Sequence, residues 1–308
     1  MADPRAPLAN RDIAAFAALA PDAVPVCGAS VHGALLDGLA AAFAALGDPD
    51  CMRLVGPIVP GATLARGARI PGTSLELEPV AAAFGLGVAA GWRRGSDPVP
   101  ENLGALVALL DYLARRAHEL GRPAPTIGVL LGSLDRAARI QSALETEPGY
   151  PDVDGTAHLA VRVASAAIAA QLLGGGTTAI AAAATHAWMD GVPPRHPRAR
   201  PVAPPSAWAG ADASSRGLRC ALWALATAGA GDPGETVADR EDATAVARFV
   251  DAAPPPIDPR GALARFAASL EPLFGERRRT AILRCVSDRE TFVGMPVHEF
   301  VALLVRNV

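Results

Sequence analysis

Aromatic and charged side chains are both scarce in this 308-residue chain. Aromatic residues make up 5% of it and charged residues 19%, whereas 51% of its residues are hydrophobic. This balance excludes an intrinsically disordered chain, which would be polar and poor in apolar residues. With so few rings, the core must consist mainly of Ala, Leu and Val. Small side chains let helices approach closely, so the composition favours an all-α, Ala-rich bundle.

The chain also lacks a surplus of positive charge. Its 28 basic and 31 acidic side chains give a formal net charge of −3. A nucleic-acid-binding protein needs a basic surface to neutralise phosphates. We therefore expect no nucleic-acid partner.

Cysteine is sparse, and its positions form no ligand pattern. The four cysteines are far apart and give neither a CxxC pair nor a Cys/His spacing that suits zinc: Cys27, Cys51, Cys220 and Cys285. This excludes a disulfide framework and predicts no metal site. Free thiols are typical of a reducing compartment, so we expect a cytoplasmic protein.

A membrane-targeting segment is not evident in the sequence. The N-terminal residues have no apolar stretch of the kind found in signal peptides. The longest uncharged run, residues 163–189, is interrupted by three glycines at 174–176. We interpret this run as two buried helices joined by a glycine turn, and we expect no membrane partner.

Apolar residues recur at helical spacing through most of the chain. The pattern predicts helices over 29–46, 103–120, 159–173, 177–189, 214–228, 241–251, 261–273, 278–286 and 297–306. Residues 55–80 are rich in Pro and Gly and predict a loop that leads into a helix near Val80. Residues 193–207 hold six prolines and should not be regular helix.

Common cofactor-binding and catalytic motifs do not fit this sequence. Gly85, Gly87 and Gly91 resemble a dinucleotide-binding loop, but their spacing is one residue too long for GxGxxG. These glycines instead predict close helix packing. The sequence has no Walker loop, HExxH motif or GxSxG elbow.

Seven segments, taken in order, resemble one known family. They read LVGPIVPG (54–61), PGTSLELEPVAAAF (71–84), NLGALVALLDYLARR (102–116), VASAAIAAQLLG (163–174), AWMDG (187–191), WAGADASSRGLRCAL (208–222) and MPVHEFVALLV (295–305). Each motif is weak alone, but together they are collinear and cover most of the chain. The sequence is thus similar to the MmgE/PrpD family, and within it to the 2-methylcitrate dehydratase branch.

The resemblance implies a large all-helical domain with a smaller α/β lid domain, and a homodimer formed by the helical domains. It also implies cofactor-independent dehydration, decarboxylation or isomerisation of small polycarboxylates. Such chemistry needs a base that removes a proton next to a carboxylate and an acid that assists the leaving group. Cationic side chains must hold the carboxylates.

The sequence departs from the family where that chemistry is located. The family has a Trp, paired aspartates, a threonine and a histidine before Asn-Leu-Gly, whereas residues 92–102 form a shortened segment. Trp92 is kept, Arg94 stands near the first aspartate, Asp97 matches the second, and the histidine is absent. Ser206 stands where the family has a lysine, and a serine cannot supply a positive charge to an enolate. We expect Asp97 as a base and Trp92, Arg94 and Ser206 as substrate-binding residues.

Three further residues match family positions. His158 lies about one residue from the family's histidine and is either an acid/base group or only a helix-start residue. Arg195 and Arg198 keep the family's Arg-x-x-Arg pattern after an Asp-Gly turn. Paired guanidinium groups suit carboxylate recognition, although surface arginines would have the same pattern.

Three other charged residues fit a structural role better than a catalytic one. Asp190 should cap or support the turn that follows it. Asp212 and Arg216 are four residues apart and should form an ion pair within a helix.

A second departure concerns the lid domain. The family inserts it after the helix at 214–228, where this chain has only residues 230–258, too few for a domain. We therefore predict a single helical domain over 1–308. It consists of a main body (1–229), a linker in place of the lid (230–258) and C-terminal helices that complete the body (259–308). Because a lid excludes water, its loss should leave the pocket open or covered by a partner.

Three functions remain in competition. The first is a repurposed cofactor-independent lyase, isomerase or cyclase that acts on a small molecule in a biosynthetic pathway. Carboxylate-bearing molecules are among the substrates considered. The second is a non-catalytic pseudoenzyme or scaffold that pairs with another protein in a heteromer. The third is a residual 2-methylcitrate-type dehydratase.

Overall fold

The computed structural model describes residues 8–20, 28–92, 100–147, 150, 157–190, 205–228, 243–252 and 256–306. Over these residues the chain forms fourteen helices and one two-stranded sheet. The helices are α1 (Asn10–Ala18), α2 (Gly28–Ala45), α3 (Pro49–Val55), α4 (Pro79–Gly91), α5 (Leu103–Arg115), α6 (Ile127–Glu145), α7 (Ala157–Leu172), α8 (Thr177–Met189), α9 (Pro205–Ala228), α10 (Ala243–Asp251), α11 (Pro259–Leu270), α12 (Glu276–Ser287), α13 (Arg289–Gly294) and α14 (Val297–Leu304). The all-α fold class is thus confirmed.

Acidic residues followed by proline begin several of these helices. Glu78 precedes Pro79, and its carboxylate accepts hydrogen bonds from the first backbone N–H groups of α4. Asp258 and Pro259 begin α11 in the same way. Each carboxylate pairs N–H groups that have no partner inside the helix, and each proline fits the first turn, where no N–H is required.

The core is built from small and aliphatic side chains, as the composition predicts. Helix α7 packs against α6, α8 and α9, while α4 packs against α2, α3, α5 and α9. Residues 163–170 of α7 are all buried. Among the described helices, α2 is long and apolar enough to cross a membrane by length and composition, but 67% of it is buried in the fold.

Glycines allow the closest helix contacts in this core. A Cβ atom on Gly85 would lie 2.6 Å from the Val55 carbonyl oxygen, and one on Gly87 would lie 3.0 Å from the Cα atom of Ala211. Real Cβ atoms essentially never show the first distance, and the second is tighter than most Cβ contacts. The prediction that these two glycines serve helix packing is therefore confirmed.

The segment predicted as a loop at 55–80 contains a small hairpin. Strands β1 (Ala68–Arg69) and β2 (Glu76–Leu77) pair antiparallel, with Ala68 opposite Leu77. The turn between them includes Gly72, whose φ of +82° suits glycine. The N–H of Gly72 donates to the Leu304 carbonyl oxygen at 2.7 Å, which joins the hairpin to α14.

The expectation that residues 193–207 lie outside regular helix is wrong at its end. Helix α9 begins at Pro205, nine residues before the predicted start at 214. Proline is compatible with a first helical turn because its fixed φ is helical and its missing N–H would have no intrahelical partner. The C-terminal helices return to the main body, with α11 against α2, α13 against α6 and α14 against α5. The division into body, linker and C-terminal helices stays a prediction.

Candidate functional site

Helix α7 is mostly buried, but one of its faces carries three polar side chains, which we call the polar stripe. His158, Arg162 and Ser165 are spaced by four and three residues, which places them on one face of the helix. Ser165 and Arg162 are buried, and the His158 side chain is 23% exposed. Polar groups in such positions need partners, because burying them without any costs free energy.

His158 lies beside Glu101, which stands two residues before the first residue of α5. Its Nδ1 atom lies 3.4 Å from Oε2 of Glu101, and the Glu101 side chain is only 11% exposed. Helix α9 covers the pair, since a Cβ atom on Gly210 would lie 3.4 Å from the Glu101 carboxyl carbon and 3.7 Å from His158 Nδ1. At 3.4 Å, Nδ1 of His158 and Oε2 of Glu101 are in contact without forming a hydrogen bond, and Nε2 is the ring nitrogen left to exchange protons with a ligand.

A chain of hydrogen bonds extends from the stripe to the end of α6. Ser165 Oγ donates to Asn102 Oδ1 at 2.6 Å, and Asn102 Nδ2 donates to Gln141 Oε1 at 3.2 Å. Gln141 Nε2 then donates to Glu145 Oε1 at 3.0 Å. The chain connects three helices and fixes the backbone next to Glu101.

Glu145 is electrostatically coupled to the His158–Glu101 pair. Desolvation by the surrounding protein raises the pKa of Glu145, although the side chain still reaches solvent at the end of α6. The hydrogen bond from Gln141 opposes this rise in pKa. The Glu101 carboxylate raises the pKa further, and the His158 imidazole lowers it.

Tyr150 completes this side of the site. Its hydroxyl oxygen accepts a hydrogen bond from the Ala160 N–H at 2.9 Å, which caps the first turn of α7. Burial raises the pKa of Tyr150 to about 12. The hydroxyl therefore stays protonated at neutral pH.

A cluster of three arginines surrounds Asp190, the residue that ends α8. From Asp190 Oδ2, the distances are 2.6 Å to Arg216 Nε, 3.4 Å to Arg162 Nη1 and 3.8 Å to Arg219 Nη2. Arg216 Nη1 also lies 3.3 Å from Oδ2 of Asp212, which confirms the ion pair expected within a helix. Three guanidinium groups against two carboxylates leave this cluster with a formal charge of +1.

The structure describes only part of the predicted site. Trp92 is half-buried, packs against the core and donates through Nε1 to Asp48 Oδ2 at 2.9 Å. Ser206 lies in the first turn of α9. The substrate-binding roles of both residues stay predictions. The other predicted site residues lie outside the described residues: Arg94, Asp97, Arg195 and Arg198.

Sequence reasoning missed the residues that surround His158 because it predicted no helix over 127–145. The signal was present, since Ile127, Leu130, Leu131 and Leu134 follow the spacing of one helical face. A helix there places Gln141 and Glu145 one turn apart. No group of three or more His, Cys, Asp or Glu side chains could hold a metal ion in the part of the chain that the structure describes. Cofactor independence stays an expectation.

Comparison with known proteins agrees with this architecture. The MmgE/PrpD N-terminal domain model matches residues 11–246. The chain is 38% identical to 2-methylcitrate dehydratase of Salmonella typhimurium over 208 residues, which cover 63% of this chain and 42% of that protein. It is 32% identical over 210 residues to the 2-methylcitrate dehydratase-like protein oryR of Aspergillus oryzae, covering 64% and 42% of the two chains.

A further relative is the alkylcitrate dehydratase phiI of a fungal species, at 32% identity over 207 residues, with 61% of this chain and 40% of that protein covered. The matched segment thus spans about two fifths of the length of these curated relatives. The family model covers well over half of this chain, and the helical fold agrees with the resemblance seen in the sequence. The chain belongs to the MmgE/PrpD family.

Proposed function

We propose that this chain is a cofactor-independent lyase, isomerase or cyclase that moves a proton on a small carboxylate-bearing molecule. The observation that carries the proposal is the pairing of His158 with Glu101 under α9, at the start of a buried helix. The names of the relatives support the substrate class, because they are dehydratases of 2-methylcitrate or of an alkylcitrate. By the same resemblance we expect a homodimer.

In the proposed reaction, His158 acts as the base. Its Nε2 removes a proton from the carbon next to a carboxylate, and the electron pair left behind forms a carbon–carbon double bond. Glu101 stabilises the imidazolium that results and holds the ring in place, as a carboxylate does beside a catalytic histidine. The reaction ends as an elimination if a neighbouring group departs, or as an isomerisation if the proton returns to another carbon.

The arginine cluster is suited to hold the carboxylate of this substrate. Arg162 is one helical turn from His158, and residues so spaced have Cβ atoms about 5–6 Å apart. Arg216 and Arg219 keep 30% and 39% of their side chains exposed, so a ligand can reach them. The surplus positive charge attracts an anion, and the fork of donors on each guanidinium fits a carboxylate.

The test is proton exchange in D₂O. Wild-type protein is incubated with 2-methylcitrate and related polycarboxylates, deuterium incorporation is followed by NMR, and alkene formation by ultraviolet absorbance. His158→Gln should slow exchange by about 10²–10⁴-fold, the usual contribution of a general base. His118→Gln is the matched control, because His118 is exposed outside the site and its replacement should leave the rate unchanged.

The outcomes separate the candidate reactions. Exchange without alkene points to an isomerase or cyclase. Alkene formed from 2-methylcitrate itself would identify a residual dehydratase. If the wild type exchanges no proton with any polycarboxylate, or if His158→Gln exchanges as fast as the wild type, the proposal is wrong.

A non-catalytic scaffold is the second candidate, and one surface favours it. Trp208 and Trp223 of α9 are each 51% exposed, and the Arg219 guanidinium lies 4.9 Å from the ring centroid of Trp223. Tryptophan and arginine are enriched at protein interfaces. A different protein that copurifies from the native host, and is lost from Trp223→Ser, would support this candidate. A homodimer that carries out His158-dependent exchange would exclude it.

A further inference from the structure

Proton transfer at His158 gives the site only one of the two groups that an elimination requires. A base removes the proton from carbon, but a departing hydroxyl also needs a proton, because hydroxide is a poor leaving group. The second group must lie close to the first and must be a carboxylic acid, imidazole, phenol or ammonium. Three described side chains are candidates. Glu101 contacts His158, and Tyr150 accepts a hydrogen bond from the N–H of Ala160, two residues further along α7. Glu145 is joined by hydrogen bonds through Gln141 to Asn102, the residue next to Glu101.

Two of these three groups already have other roles in the site. Glu101 faces the imidazole at 3.4 Å and serves as its counter-charge. The Tyr150 hydroxyl oxygen accepts the Ala160 N–H, and burial raises the pKa of this phenol to about 12, so it is a weak acid. Glu145 differs from both, because its side chain reaches solvent where a substrate can approach.

The hydrogen-bond chain fixes how Glu145 presents its carboxyl group. Asn102 and Ser165 are buried, and both polar atoms of the Asn102 amide are used within the chain. In this network Gln141 accepts with Oε1 and donates with Nε2, which is directed at Glu145 Oε1. A proton on this carboxyl group then belongs on Oε2, the oxygen that does not receive the amide hydrogen bond.

We infer that Glu145 is the second proton-transfer group of this site, and that Gln141 and Asn102 are its positioning residues. The inference rests on the proposed function, since it supplies the acid for the base at His158. Raising the pKa of a carboxyl group favours its protonated form, and the elevated pKa of Glu145 has the direction that a proton donor needs.

The elimination is balanced with these two groups. His158 takes the proton from carbon, the carbon–carbon double bond forms, and the carbon–oxygen bond breaks. The Glu145 proton passes to the departing oxygen, which leaves as water, and Glu145 becomes a carboxylate. The proton on His158 returns to Glu145 through solvent, which restores both groups for the next cycle.

The kinetic test separates the two groups, because exchange needs only the base whereas elimination needs both. Glu145→Gln should lower alkene formation by about 10²–10⁴-fold and leave deuterium exchange largely intact. Glu145→Asp should restore part of the elimination, and Gln141→Ala should lower it less than Glu145→Gln does. Glu119→Gln is the control, because Glu119 is an exposed glutamate that pairs with Arg66 and Arg116.

Elimination that survives in Glu145→Gln while His158→Gln abolishes exchange would overturn this inference and leave the proposed function intact. If neither Glu145→Gln nor His158→Gln changes the rate of exchange or of elimination, the proposed function is wrong as well.

A titration provides a readout that needs no turnover. Carbon-13 NMR of the Glu145 carboxyl group should show a pKa above the ordinary value of 4.5. Glu101→Gln should lower this pKa, because it removes a nearby negative charge, and Gln141→Ala should raise it, because it removes a hydrogen bond to the carboxylate. A carboxyl group that titrates at its ordinary value and responds to neither variant would contradict the inference even in an inactive protein.

Discussion

Glu101 and His158 meet where two helices begin, with 3.4 Å between Oε2 of the glutamate and Nδ1 of the histidine. Glu101 lies just before α5, and His158 lies in the first turn of α7. The backbone of α9 closes over both at Gly210. A side-chain pair held by three helices keeps its geometry without a bound ligand, which is what a proton-transfer site requires.

Replacing Glu101 with Gln should weaken catalysis without abolishing it. The imidazole keeps a neighbouring polar group but loses the negative charge that stabilises its protonated form. Losing about 1.4 kcal/mol of electrostatic stabilisation between these side chains would slow deuterium exchange by roughly 10-fold. The same D₂O assay measures it. A rate equal to that of the wild type would show that the carboxylate does not support His158.

Removing the buried ion pair between Asp111 and Arg69, beside the hairpin, should lower the stability of the fold. Asp111 is fully buried, and its carboxylate receives Arg69 Nη2 at 2.6 Å, Arg69 Nε at 3.2 Å and the Arg69 backbone N–H at 2.9 Å. Asp111→Ala leaves a guanidinium uncompensated and should lower the free energy of unfolding by about 3–5 kcal/mol, measured by urea denaturation.

Asp50→Ala is the control for this prediction. Asp50 pairs with Arg53 on the surface, and both side chains are mostly exposed. Its loss should change the free energy of unfolding by less than about 1 kcal/mol. Equal effects of the two alanine variants would mean that burial of the Asp111 pair contributes nothing.

Two helical glycines should respond in opposite directions to alanine. A Cβ atom on Gly104 would lie 2.3 Å from the Ala83 carbonyl oxygen, so Gly104→Ala should destabilise the fold by about 1–3 kcal/mol. Among the residues that the structure describes, nothing lies within 4 Å of a Cβ atom on Gly132. Gly132→Ala should therefore stabilise the fold by about 0.5–1 kcal/mol, because alanine loses less backbone entropy in a helix. Thermal unfolding of both variants checks the pair, and a stabilised Gly104→Ala would contradict the close packing of α4 and α5.

His32 should make the fold sensitive to mild acid. Its Nε2 atom is buried without a hydrogen-bond partner among the described residues, and its ring centroid lies 5.3 Å from that of Phe292. Burial and the positive charge of Arg289 lower the pKa of His32 below its ordinary 6.5. As the pH drops, His32 is therefore protonated more readily in the unfolded chain than in the folded one. The free energy of unfolding should fall as the pH drops below about 6.5.

Urea denaturation at a series of pH values tests this behaviour. The slope contributed by one histidine is at most about 1.4 kcal/mol per pH unit, and His32→Gln should remove it. His118→Gln should retain it, because His118 is exposed. An unchanged slope in His32→Gln would show that other groups cause the acid sensitivity.

Helical periodicity predicted much of the fold, and its errors have physical causes. The segment 177–189 is observed as a helix over the same residues, and 29–46 and 159–173 are shifted by one or two residues. Helix α9 was predicted too short because proline was treated only as a breaker, although Pro205 fits a first turn. The hairpin at 68–77 has strands of two residues each, which are too short to show an alternating pattern.

The site was less accessible to sequence reasoning than the fold. His158 stood out because it resembles a family position, but nothing in the sequence places Glu101 beside it. That contact depends on how α5, α7 and α9 pack, and Gly210 permits the approach because it has no side chain. Gln141 and Glu145 lie on α6, a helix that was not predicted from the sequence. Tertiary packing, and not local propensity, brings these groups together.

The most direct test of the account is whether a polycarboxylate reaches His158. Proton–nitrogen NMR of the imidazole signals, recorded while 2-methylcitrate is titrated into the protein, measures this contact. We expect the His158 signals to shift and saturate while those of His118 stay constant, and we expect the response to weaken in Glu101→Gln. If no His158 signal moves at saturating 2-methylcitrate or at any related polycarboxylate, the pair with Glu101 is not the site where this protein acts on its substrate.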